Sequence, residues 1–319
     1  MQPFSPAVHA AVIHSMKLVQ HLRRLSGRLT WPAQRRLAAL IYPAGTAAAD
    51  FLEPAGEPAL TASDSISWRV FSNPVAMFVG GVTAVLLELG EPRVRSGVWE
   101  HTSFRQRPLQ RLQRTGYAAM MTIFGARSRA ESMIRRINDG HARIAGRTPA
   151  GTSYRATDLE LLTWVHATAT FGFLEAYATC VRDVDAAGRD RFYVENEASA
   201  QLYGVPSPPT SQHDFDALLR RMHPALEPSA IVLEFLAIMS GMELLPAPLR
   251  GLQRLLIRAA VHNLPAAARQ QLGLAGAQWT VPQWQWRLIR ALGRASDHLD
   301  WPGLPAMLAR RRLAGGSAG

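Results

Sequence analysis

The chain has 319 residues and a mass of 35.0 kDa, which is long enough to bury a core in one large domain or two small ones. Hydrophobic residues make up 48% and charged residues 18%, a balance that excludes disordered, collagen-like and coiled-coil chains. The formal net charge is +11, and Lys17 is the only lysine among 35 basic residues. Arginine favours two-pronged contacts with carboxylates and phosphates, but charge alone does not identify a nucleic-acid partner.

Cysteine content and the N-terminus restrict the metal chemistry and the compartment. Cys180 is the only cysteine, which excludes an intrachain disulfide and a cysteine-rich zinc or iron–sulfur site. Lys17, Arg23 and Arg24 are not followed by an apolar core, so we predict no signal peptide. The longest apolar run, residues 74–89, is shorter than the roughly 20 residues that a membrane span needs, and it predicts a buried helix. We expect a cytoplasmic protein without a transmembrane helix.

The first 60 residues are predicted to form a separate N-terminal part. Helical spacing predicts basic helices over residues 8–24 and 31–42, and the composition of residues 43–67 predicts a surface loop. A solvated helix face packed on the main body explains the basic residues. Peripheral contact of the N-terminal basic helix with a membrane is the alternative.

The rest of the chain reads as helices with start and stop signals at Pro, Ser, Thr, Asp and Gly. They are predicted at about 67–89, 108–123, 129–146, 157–184, 191–203, 212–222, 228–239, 246–262, 265–272, 281–296 and 302–313. Only residues 151–155 and the neighbourhood of 279–281 read as extended. We predict a single all-α domain of about ten to twelve helices over residues 61–310, followed by a frayed tail over 311–319.

Common catalytic signatures are missing from the sequence, including nucleotide-binding glycine loops, the nucleophile elbow and the zinc-protease helix. Asp183, Asp185 and Asp190 faintly resemble the carboxylates that hold Mg²⁺ in isoprenoid synthases. Gly188 and its turn-like surroundings favour solvated loop acids instead. The histidines and arginines on helices remain as candidates.

Two histidines stand out because they fall on apolar helix faces. His141 follows Ile134 and Ile137 at helical spacing, and His166 lies in a long apolar helix beside the small residues Ala167 and Ala169. A buried imidazole needs a hydrogen-bonding partner or a metal. From spacing alone, a satisfied core histidine is the favoured interpretation of each.

A strongly basic segment, residues 92–147, carries twelve arginines and three acidic residues. Within it Arg111, Arg114 and Thr115 fall at i, i+3 and i+4 and therefore share one helix face. The guanidinium groups could pair with the carboxylates of a cofactor, and the hydroxyl group could bind a ligand. A solvated basic face is the other interpretation, and without further information it is favoured.

Several short motifs form an ordered series from Ser67 onward. They are Ser67-Trp68-Arg69, His101-Thr102-Ser103-Phe104, Arg111 to Thr115, His141 with Gly146, Tyr154-Arg155-Ala156, Trp164 to Thr168 and Phe192 to Glu195. In this order they resemble the domain shared by MpaB-type oxygenases and the rubber oxygenases called latex-clearing proteins. The resemblance covers residues 67–204, nearly half of the chain.

The resemblance implies an all-helical fold around a slot for haem b, with His141 as the proximal ligand of the iron. Arg111 and Thr115 match the family's arginine and threonine near the haem. By this match Arg111 pairs with a propionate or polarises bound oxygen, and Thr115 hydrogen-bonds the distal ligand. His166 is a second candidate, beside or opposite the haem. A haem needs an apolar slot, a neutral imidazole and cations near its propionates, and this region offers each of them.

Two departures from the family pattern limit what is carried over. Rubber oxygenases have a lysine next to the threonine that can occupy the distal iron site, whereas this chain has Arg114, which stays charged and is a poor ligand. The acidic residue proposed as a base in the rubber branch has no assigned counterpart, and Glu100 is the nearest carboxylate. Cleavage of polyisoprene is therefore not carried over.

We predict a haem b-dependent oxygenase that activates dioxygen on an apolar, lipid or isoprenoid-like small molecule, with no nucleic-acid partner. The predicted catalytic residues are Arg111, Thr115 and His166; His141, Arg111, Arg114 and His166 are predicted to bind the cofactor, and His141 its iron. The alternative is a non-enzymatic basic helical protein that docks on an acidic membrane surface or nucleic acid. An isoprenoid-type synthase would need two acidic clusters, and only one weak cluster is visible.

Overall fold

The computed structural model describes residues 41–297 and 303–315 of the chain. These residues fold almost entirely into α-helices, which confirms the all-α prediction. The helices are α1 (Ile66–Ser72), α2 (Pro74–Gly90), α3 (Pro92–His101), α4 (Pro108–Phe124), α5 (Arg127–His141), α6 (Leu159–Cys180), α7 (Ala186–Glu195), α8 (Glu197–Leu202), α9 (Gln212–Met222), α10 (Ala230–Gly241), α11 (Arg250–His262), α12 (Ala266–Gln271), α13 (Gln283–Ser296) and α14 (Pro305–Gly315).

Short elements fill the gaps between helices. A two-stranded antiparallel hairpin pairs β1 (Ala145–Arg147) with β2 (Ser153–Arg155). The extended conformation expected near residues 151–155 is thereby confirmed, but the helix predicted to reach residue 146 ends at His141. Gly146 lies opposite Tyr154 in the hairpin, and a Cβ atom at Gly146 would come within 2.6 Å of the tyrosine hydroxyl group. Glycine is thus required at this position, because a larger residue would clash with Tyr154 on the opposite strand.

The apolar run of residues 67–89 forms two helices where the sequence predicts one. Asn73 separates α1 from α2, and the two helices meet at 93°. Its side-chain oxygen accepts hydrogen bonds from the backbone N–H groups of Val75 and Ala76, so it caps α2. Its amide nitrogen donates to the carbonyl oxygen of Gly293 in α13 at 2.9 Å. The break is therefore fixed by a tertiary contact as well as by a cap.

Helix α3 is absent from the predicted elements. Glu91 caps it by accepting a hydrogen bond from the backbone N–H of Val94, and Pro92 occupies its first turn. Arg95 on this helix is buried and pairs with Glu227, a partner 132 residues away. Because this pairing depends on the tertiary fold, the arginine-rich sequence around it does not by itself predict the helix.

Helices α2 and α6 form the most extensive helix–helix contact in the described part of the chain. Gly80 and Gly172 lie where the two backbones meet. Trp164 on α6 and Trp68 on α1 are fully buried in the same core. This pair of helices forms the centre against which the other elements pack.

The ends of the described chain join the core more closely than the predicted domain boundaries imply. Phe51, assigned to the N-terminal part, is fully buried in the core. Arg312, assigned to a frayed tail, is buried in α14 and donates hydrogen bonds to the carbonyl oxygens of Glu57, Phe51 and Phe124. These three bonds explain why the helix continues to Gly315. The predicted helix over residues 8–24 and nearly all of the one over 31–42 lie outside the described residues.

Across residues 41–297 and 303–315, no one helix combines the length and the hydropathy that a bilayer crossing requires. Two sharply bent pairs of helices meet these criteria by length and composition when each pair is taken together. One pair is α1 with α2, and the apolar side chains Val79, Leu86 and Leu87 of α2 are buried in the core. The prediction of a buried helix over residues 74–89 is therefore confirmed for α2.

Candidate functional site

A cavity of about 130 Å³ lies among helices α2, α3, α4, α6 and α10. Its walls are mainly apolar and include Met77, Val85, Trp99, Phe173 and Phe235. Apolar walls of this kind bind hydrocarbon surface and exclude water. The site is therefore suited to an apolar molecule.

Three polar residues interrupt the apolar lining: Glu88 on α2, and Arg111 and Thr115 on α4. Helix α4 is amphipathic, with Arg111 and Thr115 one turn apart on the face that contributes to the cavity. Thr115 is exposed to solvent, so the cavity opens beside this helix. The sequence predicted Arg111 and Thr115 as site residues, and the structure brings both to the cavity.

Glu88 is the site residue that sequence reasoning missed. Burial raises the pKa of its carboxyl group from 4.5 to about 7, and the positive charge of Arg111 opposes this increase. No described ion pair joins Glu88 to Arg111, although both side chains line one cavity. A carboxyl group with a pKa near neutrality can hold or release a proton under physiological conditions. This is the strongest acid–base feature of the cavity.

Glu100, the carboxylate that the sequence placed nearest to the motif series, lies elsewhere. It is exposed on α3 and accepts a hydrogen bond of 3.2 Å from the hydroxyl group of Tyr154. It does not line the cavity. A signal for Glu88 was available in the sequence, because it is the only acidic residue within the apolar run of residues 74–89.

Arg111 links the polar groups of the site. Its Nη1 atom donates to the hydroxyl oxygen of Thr115 at 3.0 Å, and that hydroxyl group donates to the backbone oxygen of Arg111 at 3.0 Å. Burial lowers the pKa of Arg111; the carboxylate of Glu88 opposes this shift and the charge of Arg114 adds to it. Arg114 is exposed and does not line the cavity. The structure therefore brings Arg111 and Thr115 together and leaves Arg114 on the surface.

His141 is the last residue of α5 and is half-buried. Its Nδ1 atom is buried without a hydrogen-bond partner. Burial lowers the pKa of the imidazole, and the positive charge of Arg111 lowers it further. Burial and the charge of Arg111 thus both favour the neutral form of the ring. A neutral imidazole is the form that binds a metal.

His166 lies on α6 and is also partly buried, with an Nδ1 atom that has no hydrogen-bond partner. Burial lowers its pKa to about 4, and a hydrogen bond with the backbone of Asn196 acts in the opposite direction. Phe173, seven residues later and therefore on the same helix face, lines the cavity, whereas His166 does not. The two rings are separated by about 10 Å along the helix axis.

Glycine positions leave open space on the helices of the site. A Cβ atom at Gly116, which lines the cavity, or at Gly140, next to His141, would meet no other atom within 4 Å. Among the described residues, no group of three or more His, Cys, Asp or Glu side chains could hold a metal ion. A haem iron needs only one or two protein ligands, so its binding does not require such a group.

The acidic residues that faintly resembled a Mg²⁺ site have separate structural partners. Asp183 pairs with Arg290, and Asp185 caps α7 by accepting a hydrogen bond from the backbone of Gly188. Asp190 accepts a hydrogen bond from the backbone N–H of Gln212. These acids do not converge on one point, in agreement with their interpretation as loop acids.

Comparison with protein-family models matches residues 68–296 to the family described as ER-bound oxygenase mpaB/B'/Rubber oxygenase, catalytic domain. The match covers more than two thirds of the chain. The chain belongs to this family. No curated protein and no solved structure matches the chain.

The oxygenase family match extends well beyond residue 204, where the motif series of the sequence ends, and it includes every helix that lines the cavity. The motifs serve two purposes in this family member. Arg111 and Thr115 line the cavity, and the charge of Arg111 lowers the pKa of His141. Glu195 instead stabilises the start of α1, because its carboxylate accepts hydrogen bonds from the backbone of Ile66 and from the backbone and hydroxyl group of Ser67.

Proposed function

We propose that the protein is a haem b-dependent oxygenase that activates dioxygen for reaction with an apolar, lipid or isoprenoid-like substrate. Its membership of an oxygenase family supports the reaction class. The observation that carries the proposal is the cavity itself. It combines apolar walls with one carboxyl group and one guanidinium group, and the charge of that guanidinium also lowers the pKa of His141, which lies outside the lining.

The residues present fit a haem in three respects. The Nδ1 atom of His141 is buried and has no partner, and burial favours the neutral ring that can coordinate iron. Arg111 supplies a positive charge that suits a propionate. A Cβ atom at Gly116 or Gly140 would meet no atom of another element within 4 Å, so neither position is tightly packed. In the proposed site His141 would hold the iron and Arg111 a propionate, and His166 would be the second candidate ligand.

When bound, haem would supply the activation of dioxygen, and the protein groups would supply position, polarity and proton handling. Glu88, with a pKa of about 7, would accept or release a proton at its carboxyl group near neutral pH. The Thr115 hydroxyl group already donates to the backbone of its own helix, so it would have to rotate before donating to a ligand. Arg114, exposed on the surface, would assist only through its charge.

Substrate selection would rest on the apolar walls. Trp99, Phe173 and Phe235 would contact the hydrocarbon part of a substrate and exclude water around the polar groups. Glu88 and Arg111 are the only charged groups in the lining, so a small polar group of a substrate would pair with them while its apolar remainder contacts the walls. An unsaturated lipid or isoprenoid-like chain matches this distribution.

The visible spectrum of the purified full chain tests the proposal. Protein from cells supplied with iron and a haem precursor should show a Soret band, and hemin added to colourless protein should restore it. Absence of the band under both conditions contradicts the proposal. Colourless protein that binds DNA or lipid in a salt-dependent manner would support the alternative of a docking protein.

Single replacements assign the iron ligand. His141→Ala should abolish or shift the Soret band, and His166→Ala should change it less. His213→Ala is the matched control because His213 is exposed on α9. Equal spectra for the His141 and His166 variants would contradict the ligand assignment while leaving haem binding itself established.

A further inference from the structure

Helix α13 exposes apolar side chains on one face. Trp284 is 64% exposed and Leu288 is 44% exposed, and the exposed Ala291 follows at helical spacing. With the exposed Arg287 these residues share a face, called here the Trp284 face. Adjacent exposed apolar side chains, unlike single ones, are typical of a binding surface.

The opposite side of α13 holds the helix in this orientation. Ile289 and Gly293 are buried, and the Cβ position of Gly293 would contact the carbonyl group of Cys180. Arg290 donates to the carbonyl oxygen of Thr179 at 2.9 Å, and Arg294 donates to that of Val181 at 3.2 Å. Since these contacts fix the rotation of the helix, Trp284 and Leu288 cannot turn inward without breaking them.

The helix that carries this face lies in a basic part of the sequence. Residues 244–296 contain seven arginines and no aspartate or glutamate. Two of them, Arg250 and Arg290, pair with acidic residues outside this range. Arg287 lies on the face itself, is exposed, and has no ion-pair partner among the described residues. The face therefore combines apolar side chains with an unpaired cation.

We propose that the Trp284 face docks on an anionic lipid bilayer. Tryptophan rings favour the boundary between headgroups and acyl chains, and Leu288 would insert beside the ring. Arginines near such a surface are attracted by acidic headgroups. The proposal places membrane contact on α13, whereas the sequence suggested the N-terminal basic helix. It depends on neither haem binding nor catalysis.

Charge argues against the other occupants of this face. Residues 1–40 contain six basic residues and no acidic one, so this segment would be repelled by Arg287. A second copy of the chain brings the same positive charges to the contact. Nucleic acid would satisfy the arginines but offers no hydrocarbon layer for Leu288.

Sedimentation of the full chain with vesicles tests the proposal. The wild-type protein should bind phosphatidylcholine vesicles that contain phosphatidylserine, bind pure phosphatidylcholine vesicles weakly, and lose affinity at high salt. Trp284→Ser combined with Leu288→Ser should weaken binding at least about tenfold. Arg287→Ser should weaken it about fivefold. Leu233→Ser is the matched control, because Leu233 is 55% exposed on α10, and it should bind like wild type.

Each contrary result identifies a different failure. Absence of binding to both kinds of vesicle, or equal binding by the double variant, would overturn the proposal. So would a dimer in light scattering that the double variant dissociates, since the face would then join two copies. Stronger binding to duplex DNA than to vesicles, lost in the same variants, would assign the face to nucleic acid. All replaced side chains are exposed, and thermal unfolding should confirm that each variant folds.

Discussion

A Cβ atom added to Gly172 would lie 2.6 Å from the carbonyl oxygen of Gly80. At this point the backbones of α6 and α2 touch, because neither residue has a side chain to separate them. The next residue on each helix, Phe173 and Gly81, lines the cavity. The close approach of the two helices therefore sets the position of two walls of the site.

Replacing Gly172 by alanine should destabilise the protein by about 3 kcal/mol, because the new methyl group meets backbone atoms that cannot move aside. Gly116→Ala is the matched control. Its Cβ would meet nothing within 4 Å, so helix propensity should leave the protein unchanged or up to about 1 kcal/mol more stable. Urea unfolding of the three proteins measures the difference. Equal midpoints for Gly172→Ala and wild type would contradict the close contact.

The protonation of Glu88 should couple stability to pH. Its folded-state pKa of about 7 lies above the value of 4.5 for the unfolded chain, so the folded protein binds the extra proton. The resulting stability is present below about pH 4.5 and is lost as the pH rises through 7. We expect wild type to lose about 2–3 kcal/mol relative to Glu88→Gln between pH 5 and pH 8.

Urea unfolding at both pH values measures this loss for Glu88. Glu100→Gln serves as the control, because Glu100 is exposed outside the cavity. It should follow the pH profile of wild type. A constant stability difference between wild type and Glu88→Gln would show that the Glu88 carboxyl group titrates normally.

The protonation of His166 should couple stability to pH with the opposite sign. Its folded-state pKa of about 4 lies below the unfolded value of 6.5, so the folded protein favours the neutral ring. That stability is present above about pH 6.5 and is lost as the pH falls towards 4, by about 3 kcal/mol in all. His166→Gln should remove this loss.

The effects of Glu88 and His166 on stability overlap between about pH 4.5 and 6.5. Because they oppose each other there, the stability of wild type should change little. In that window Glu88→Gln should become more stable as the pH rises, and His166→Gln less stable. Thermal unfolding at half-unit pH steps distinguishes the slopes. If the stability of both variants changed with pH in the same way, the opposite pKa shifts of Glu88 and His166 would be contradicted.

Arg312 should be essential to stability although no ion pair joins it to a carboxylate in the described part of the chain. Arg312→Met removes three hydrogen bonds and leaves the carbonyl groups of Phe51, Glu57 and Phe124 without this donor. We expect a loss of about 3 kcal/mol or more. Arg311→Met, at an exposed position on the same helix, should change stability by less than about 0.5 kcal/mol. Similar unfolding midpoints for both variants would contradict a stabilising role of the three hydrogen bonds.

Local signals explain which parts of the fold could be predicted. Helix α9 has the predicted bounds, because Ser211 caps its start and its apolar residues repeat at helical spacing. The early end of α5 could not be predicted, since the sequence continues the helical pattern to Ile144. The strand β1 that follows α5 forms by pairing with β2, in which Tyr154 lies opposite Gly146. This pairing is a tertiary contact that the local sequence does not specify.

The candidate site was predictable where its residues share one helix. Arg111 and Thr115 are four residues apart, and their spacing alone put them on one face. Glu88 and Arg111 lie on different helices, and only the packing of α2 near α4 brings them to one cavity. Arg114 has the predicted helical spacing but is exposed to solvent outside the cavity. Helical periodicity alone does not distinguish it from Arg111. His141 approaches Arg111 through the packing of α5 beside α4.

The three carbonyl groups bound by Arg312 precede it by 188 to 261 residues. A ribosome therefore releases the segments around Phe51 and Phe124 long before the guanidinium that joins them, and water must solvate those carbonyls in the meantime. Domains generally fold as units during synthesis. This one can reach its final form only after translation of α14, so the segments that Arg312 joins lack these bonds until that helix has emerged.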